Sequence, residues 1–317
     1  MENNTQLKEM IRSMVIDVLQ GQKQDIASSQ PVKQVSRGQV EPGVFDTVDE
    51  AIRAAKEAQL RFEDCTLATR EKVIADIRAA MRPRVQELAQ KTVDETGMGR
   101  VADKVLKLNL TLDKTPGVED LVTECETGDN GMTLYELSAY GVIGAITPST
   151  NPAETLICNT IGMLAAGNAV FFSVHPGAKH LSRLLVSELN QIIAKSIGIE
   201  NLIVTLREPS IESAQEMMLH PDVSLLVVTG GPGVVKQALQ SGKKVIGAGA
   251  GNPPAFVDET ADIKKAAQDI VLGASLDNNI LCIAEKSVVA MRQIEPQLVQ
   301  EMVKAGCVLV DNQQDIQ

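Results

Sequence analysis

The sequence lacks a surplus of basic residues, since its 317 residues include 30 Lys and Arg against 41 Asp and Glu, for a formal net charge of −11. Nucleic acids and anionic lipids are both bound by clustered basic side chains. We therefore expect neither as a partner. The sequence also lacks an apolar run long enough to span a bilayer, and its start, MENNTQLKEM, lacks the layout of a secretory signal.

Paired cysteines and metal-binding histidine motifs are also missing. The five cysteines form no CxxC pair, and the three histidines form no HExxH motif. Unpaired, irregularly spaced cysteines are typical of free thiols in a reducing compartment. We therefore expect a cytoplasmic protein without disulfides and without a bound metal.

Apolar, strand-like runs alternate with helical stretches from about residue 141 onward. The runs are GVIGAIT, NAVFFSV, NLIVTL, SLLVVTG, KKVIGAG and PAFVD. This alternation predicts an α/β fold with a doubly wound, mostly parallel sheet. The functional groups of such sheets lie at the carboxyl ends of the strands.

The chain divides by pattern into four segments. Residues 1–20 contain an amphipathic helix with an apolar face, residues 21–42 form a Gln-, Ser- and Gly-rich linker, 43–253 form the main domain, and 254–317 begin a second one. The helix either docks on its own domain or binds a partner. Within the main domain, residues 47–112 are helical with a break at Pro83, and residues 125–140 predict a hairpin. The apolar end VKAGCVLVD predicts a strand.

Three strand ends carry candidate functional residues. Asn151, in ITPSTNP, lies where a strand meets a helix, and it is either an N-cap or a functional amide. VVTGGPGVVKQA places glycines between a strand and a helix, as a phosphate-binding turn requires, although glycine also serves tight connections. KKVIGAGAGNPP resembles GxGxxG, but its prolines exclude the helix that this fingerprint requires.

Cys282, in DNNILCIAEK, is the candidate nucleophile. The alternative is a buried apolar residue, which is the usual state of a lone cysteine.

Together these stretches resemble the aldehyde dehydrogenase superfamily and, within it, the CoA-acylating branch. The resemblance rests on ETGMGRVADK, TPGVEDL, TGDNGMTL, TPSTNP, AAGNAVFFSVHPGAK, VVTGGPG, GAGAGNPPAFVDETAD and DNNILCIAEK. It implies that residues 43–253 form an NAD-binding domain, with residues 125–140 as an oligomerisation hairpin. It also implies that residues 254–317 form an incomplete catalytic domain, because the family continues well beyond Gln317. The chain is therefore expected to be a fragment.

The resemblance assigns Cys282 as the nucleophile and Asn151 as an oxyanion donor. It places a residue without a carboxylate, Ala248, where hydrolytic members carry a general-base Glu. This disfavours a hydrolytic activity. The cofactor contacts that it implies are Thr147, Pro148, Ser149, His175, Pro176, Thr229, Gly230, Gly231 and Gly249.

The implied activity is oxidation of propanal, or another short aldehyde, with NAD and coenzyme A through a cysteine thioester. The alternatives are an acetylating acetaldehyde dehydrogenase and an inactive cofactor-binding fragment. The resemblance further implies a homo-oligomer inside a bacterial microcompartment, with a shell protein bound by residues 5–20.

Overall fold

The computed structural model describes residues 41–310 of the chain. The predicted N-terminal helix, and all but the last two residues of the predicted linker, lie outside the described residues.

The centre of the fold is a six-stranded sheet in the order β1-β6-β5-β4-β7-β8, and every neighbouring pair in it is parallel. The doubly wound, parallel α/β fold predicted from the sequence is therefore confirmed. The strands of this sheet are β1 (Val44–Phe45), β4 (Val142–Ile146), β5 (Ala169–Ser173), β6 (Ile203–Leu206), β7 (Val223–Thr229) and β8 (Lys244–Ala248).

Helices cover both faces of this sheet, which explains why β4, β5 and β6 are buried along their whole length. One layer contains α1 and α7, which contact each other and the strands; the other contains α5 and α6, backed by α2 to α4. The bounds are α1 (Val48–Glu63), α2 (Leu67–Met81), α3 (Val85–Thr96), α4 (Val101–Lys114), α5 (Pro152–Ala165), α6 (Lys179–Ile197), α7 (Ile211–Leu219) and α8 (Pro232–Leu239).

Local sequence sets the ends of the first helices. The Thr47 hydroxyl accepts a hydrogen bond from the Glu50 backbone N–H, so Thr47 is the N-cap of α1. Pro83 lies in the 3₁₀ turn Arg82–Arg84 that separates α2 from α3, which confirms the predicted break. Gly97, with a φ of 67°, ends α3 in the left-handed conformation that favours glycine.

An antiparallel hairpin follows α4, formed by β2 (Glu124–Gly128) and β3 (Gly131–Tyr135). All residues of both strands are exposed. The hairpin is therefore present as predicted, and its role in oligomerisation stays a prediction.

Residues after β8 form a second, smaller layer. Strands β9 (Pro254–Val257) and β10 (Ser287–Ala290) pair in parallel, and α9 (Ile263–Ser275) connects them. Helix α10 (Glu295–Lys304) packs on α9 over a separate apolar cluster that includes Val257, Ile270 and Leu298. The boundary at residue 253 stays a prediction.

The strand predicted for VKAGCVLVD is wrong for its described residues. Val303 and Lys304 end α10, and residues 307–310 have no regular structure. Val308 is 85% exposed. An apolar run becomes a strand only where another strand pairs with it, and these residues have no partner strand within the described chain.

Candidate active site

The carboxyl ends of β4, β7 and β8 meet the segment around Cys282 at one cavity of about 360 Å³. In a parallel sheet these strand ends lie on the same edge, so loops distant in sequence converge there. The cavity is lined by Pro148, Ser149, Thr150, Asn151, His175, Thr229, Gly230, Gly231, Ala248, Gly249, Ala250, Gly251, Ile280, Leu281, Cys282 and Lys286.

Cys282 is exposed and lines this cavity. The alternative that it only fills the core is therefore wrong. It follows a 3₁₀ segment, Leu276–Asn279, in which Asp277, Asn278 and Asn279 all have φ between 50° and 60°. Asp and Asn tolerate this left-handed conformation better than other side chains, which explains the DNN sequence before the cysteine.

The Cys282 loop is held by hydrogen bonds on both sides of the cysteine. The Asn279 amide donates to the carbonyls of Ala274 and Glu285 at 2.6 and 3.0 Å. The Lys286 ammonium donates to the carbonyls of Leu281 and Ala284 at 2.7 and 3.3 Å. The cysteine thus lies in a loop whose backbone conformation is fixed from its own neighbours.

Gly251 brings the loop after β8 directly against the cysteine. A β-carbon at this position would lie 3.2 Å from the Cys282 carbonyl carbon and nearer still to its oxygen. By contrast, a β-carbon at Gly249 would meet nothing within 4 Å. Gly249 therefore leaves room beside the backbone. The structure adds that Gly251 serves contact between two backbone segments.

Asn151 occupies the N-cap position of α5, but its side chain makes no cap hydrogen bond. Asn151 is therefore the N-cap residue by position, but its side chain does not cap the helix. The Lys107 ammonium donates to Asn151 Oδ1, and Asn151 Nδ2 donates to Thr150 Oγ1 at 3.2 Å. The amide is thus held by a charged partner from α4.

A buried ionic cluster lies behind Asn151 and the Cys282 loop. Lys104 Nζ lies 3.0 Å from Asp277 Oδ2, and both side chains are fully buried. Lys107 bonds the same carboxylate oxygen, and its Nζ lies 3.2 Å from Glu154 Oε1, although not in hydrogen-bond alignment. The Arg100 backbone N–H also donates to Asp277, at 2.8 Å.

For Asp277 and Lys107, the neighbouring groups together shift the pKa more than burial does. Burial acts to raise the pKa of Asp277, but Lys107, the Arg100 N–H and Lys104 together hold it below its ordinary value. Burial acts to lower the pKa of Lys107, but Glu154 and Asp277 raise it above the ordinary value. The pKa of Lys104 is lowered, chiefly by burial. We conclude that Asp277 and Lys107 are charged near neutral pH.

The β7–α8 turn fits the phosphate-binding interpretation of TGGPG. Gly231 is the N-cap of α8, and no side chain caps this helix. A β-carbon at Gly230 would lie 2.7 Å from a methyl group of Val234, whereas one at Gly231 would meet open space. Gly230 is thus required by packing, and Gly231 leaves the N-terminus of the helix accessible from the cavity.

Of the nine predicted cofactor contacts, seven line the cavity and two do not. Thr147 is 2% exposed, and its N–H bonds the Ser173 carbonyl. Pro176 begins the short 3₁₀ turn Pro176–Ala178, whose Gly177 N–H bonds His175 Nδ1 at 3.0 Å. The cofactor role of all nine stays a prediction.

Ala248 is the last residue of β8, and it lines the cavity where the hydrolytic enzymes' base is expected. No described residue lining the cavity is Asp or Glu. Within residues 41–310, no group of His, Cys, Asp and Glu has the geometry to hold a metal ion, and no helix is long and apolar enough to cross a membrane.

Sequence reasoning missed Lys104, Lys107 and Asp277. The sequence does contain a signal for Lys104. Lys104, Leu108 and Leu112 follow one another at four-residue spacing, and both leucines are buried on α4. A lysine on an apolar stripe predicts a buried charge with a partner. The partner, Asp277, is distant in sequence, and no local pattern links the two.

Comparison with known proteins gives a consistent result. A family model described as the aldehyde dehydrogenase family matches residues 18–314. A propanal dehydrogenase (CoA-propanoylating) of Salmonella typhimurium is 48% identical over 308 residues, which is 97% of this chain and 64% of that protein. An acetylating acetaldehyde dehydrogenase of Escherichia coli K12 is 48% identical over 263 residues, which is 83% of this chain and 56% of that protein. The chain thus spans less than two thirds of the length of these relatives.

Solved structures match the fold as well. A propionaldehyde dehydrogenase from the Clostridium phytofermentans fucose utilisation bacterial microcompartment superposes with a TM-score of 0.84 at 51% identity, covering 87% of this chain and 64% of that one. A Rhodopseudomonas palustris propionaldehyde dehydrogenase, described with bound CoA and an acylated cysteine, superposes with a TM-score of 0.83 at 49% identity. The match covers 87% of this chain and 64% of that one.

Proposed function

The chain belongs to the aldehyde dehydrogenase family, and we propose that its cavity oxidises a short aldehyde, with propanal as the first candidate, to an acyl-CoA with NAD as the oxidant. The observation that carries the proposal is that Cys282 and Asn151 share one cavity whose described lining has no carboxylate. The relatives named as CoA-propanoylating, and the one described with bound CoA and an acylated cysteine, support the same chemistry.

In this proposal, the Cys282 thiolate attacks the aldehyde carbon. A C–S bond forms, and the carbonyl electron pair moves onto oxygen. The Asn151 amide N–H and the Cys282 backbone N–H donate to the resulting oxyanion. A bound nicotinamide dinucleotide supplies the acceptor for the hydride that leaves the same carbon. The acyl group remains on Cys282 as a thioester.

The residues of the cavity are compatible with such a cofactor. The α8 N-terminus has no side-chain cap, and a β-carbon at Gly231 would meet open space. Together these features allow backbone N–H groups to approach a phosphate. Thr229, Gly230 and Gly231 are the residues that would hold it.

The absence of a carboxylate at Ala248 decides which acceptor takes the acyl group. Water needs a general base to attack a thioester at useful rates. A thiol ionises far more readily than water near neutral pH, so coenzyme A can attack without such a base. Its sulfur forms the new C–S bond, and the Cys282 thiolate leaves.

The test is the absorbance of NADH formed from propanal and NAD by the 317-residue chain, with and without coenzyme A. We expect NADH only with coenzyme A and none with Cys282→Ala. Equal rates without coenzyme A would favour a hydrolytic enzyme. No NADH under any condition would contradict the proposal for this chain and favour the inactive cofactor-binding alternative.

The second candidate substrate is acetaldehyde, because acetylating acetaldehyde dehydrogenases are 46 to 48% identical to this chain. The ratio of kcat/KM for the two aldehydes separates the candidates. A ratio that favours acetaldehyde would replace propanal in the proposal.

The proposed location is the cytoplasm, inside a bacterial microcompartment, with residues 5–20 bound to a shell protein and residues 125–140 in a homo-oligomer. A relative described as coming from such a compartment supports the location. The test is a fusion of residues 1–22 to a fluorescent protein in cells that make shells. Diffuse fluorescence would contradict the targeting proposal.

A further inference from the structure

The orientation of the Asn151 amide decides whether it can serve an oxyanion, because only its nitrogen end donates hydrogen bonds. The Lys107 ammonium carries three donors and no acceptor. It therefore pairs only with the oxygen end of the amide, and it does contact Oδ1. The nitrogen end is thereby turned away from Lys107, to the side where Nδ2 meets Thr150 Oγ1 at 3.2 Å.

Lys107 is itself held in place. Its side chain is only 10% exposed, and its Nζ bonds Asp277 and lies 3.2 Å from Glu154 Oε1. Asp277 begins the left-handed segment that leads to Cys282. A single ammonium group thus contacts both the amide of Asn151 and the anchor of the nucleophile loop.

We propose that Lys107 is a positioning residue of the reaction, which sets the Asn151 donor and the Cys282 loop relative to each other. This rests on the proposed function, because it assumes that Asn151 stabilises an oxyanion formed at Cys282. The ammonium also polarises the amide through Oδ1, which strengthens the hydrogen bond that Nδ2 donates.

The test compares two reactions of Cys282 that need neither cofactor nor coenzyme A. With p-nitrophenyl propanoate, the thiolate attacks the ester carbon, an oxyanion forms, the C–O bond breaks and p-nitrophenolate leaves. With iodoacetamide, the thiolate displaces iodide from carbon and no oxyanion forms. The ratio of acylation to alkylation rates isolates oxyanion stabilisation from general reactivity of the thiol. Both rates are measured on the Cys282 peptide by mass spectrometry, because the other cysteines also react.

The main variant is Lys107→Met, and the matched control is Lys104→Met. Each replaces one lysine amino group of the same cluster by an apolar side chain, but Lys104 contacts Asp277 and the Thr150 carbonyl and not the Asn151 side chain. We expect Lys107→Met to lower the ratio about 10²-fold, as loss of an oxyanion donor does. Lys104→Met should leave the ratio within a few-fold of the unsubstituted chain, even where both rates fall.

A double-variant cycle separates positioning from loss of fold. If Lys107 acts through Asn151, the ratio for Lys107→Met combined with Asn151→Ala should equal that for Asn151→Ala alone. Lys107→Arg, which also only donates, should retain most of the ratio. If Lys107→Met does not fold, the test compares Lys107→Arg with Lys107→Gln. Because Gln can present either end of its amide to Asn151, Lys107→Gln should lower the ratio more than Lys107→Arg does.

The outcomes separate the two proposals. If Asn151→Ala lowers the ratio and Lys107→Met does not, or Lys104→Met lowers it equally, the positioning role is wrong and the proposed function stands. If Asn151→Ala leaves the ratio unchanged, the oxyanion assignment fails, and the role of Lys107 fails with it.

Discussion

Gly251→Ala should displace the Cys282 loop, although it adds only one methyl group. The added carbon would lie 3.2 Å from the Cys282 carbonyl carbon, where ordinary contact begins at 3.4 Å, and the carbonyl oxygen is nearer still. The carbonyl oxygen lies closer than its carbon by nearly the full C=O bond length of about 1.2 Å, so relief of the overlap with the oxygen requires a shift of about 1 Å.

Two magnitudes follow from this displacement. Overpacking of this size costs about 1 to 3 kcal/mol in the free energy of unfolding. A misplacement of about 1 Å in a reacting group can lower a rate about 10²-fold. The φ of Gly251 is not in the left-handed region, so backbone strain does not contribute and the effect comes from the contact alone.

The assay is urea unfolding together with acylation of Cys282 by p-nitrophenyl propanoate, both without cofactor. Gly249→Ala is the matched control, because it adds the same methyl group to the same loop where nothing lies within 4 Å. Equal unfolding free energies and equal acylation rates for the two variants would refute the reasoning, since they would mean that the loop accommodates the methyl group without moving.

Two further predictions concern the acceptor and the buried cluster. Ala248→Glu should raise the rate of NADH formation without coenzyme A by about 10²-fold, which is the lower end of what a general base contributes. The control is Ala250→Glu, which also adds a carboxylate to the cavity lining. Unchanged dependence on coenzyme A in Ala248→Glu would contradict the prediction. The pKa of Asp277 is lowered in the fold from its ordinary 3.8, so its contribution to stability is present above that pH and is lost as the pH falls through the lower folded value. Asp277→Asn should therefore lower the free energy of unfolding by about 3 kcal/mol at neutral pH, as measured by urea unfolding. This difference from the unsubstituted chain should shrink on acidification below pH 3.8. A difference that does not depend on pH would contradict the prediction.

The sequence alone determined the parallel sheet and predicted the residues of the candidate site. Residues 169–172 are apolar at every position, as a strand buried on both faces requires. The helical stretches between such runs leave parallel pairing as the solution. Once the strands are parallel, TPSTNP, VVTGG and KKVIGAGAG must end on the same edge. Their convergence on one cavity therefore followed from local patterns.

Only the tertiary structure decided how these residues are held. Asn151 and Cys282 are joined through Lys107 and Asp277, which come from α4 and from the segment before the nucleophile. Lys107 and Asp277 are separated by 170 positions in the chain, and no local sequence pattern indicates which carboxylate pairs with a given lysine. The role of Gly251 is similar, because a glycine that permits a close backbone approach has the same local appearance as one in an open turn. Helical and strand patterns are properties of neighbours in sequence, whereas charge pairing and steric contact depend on which segments the fold brings together.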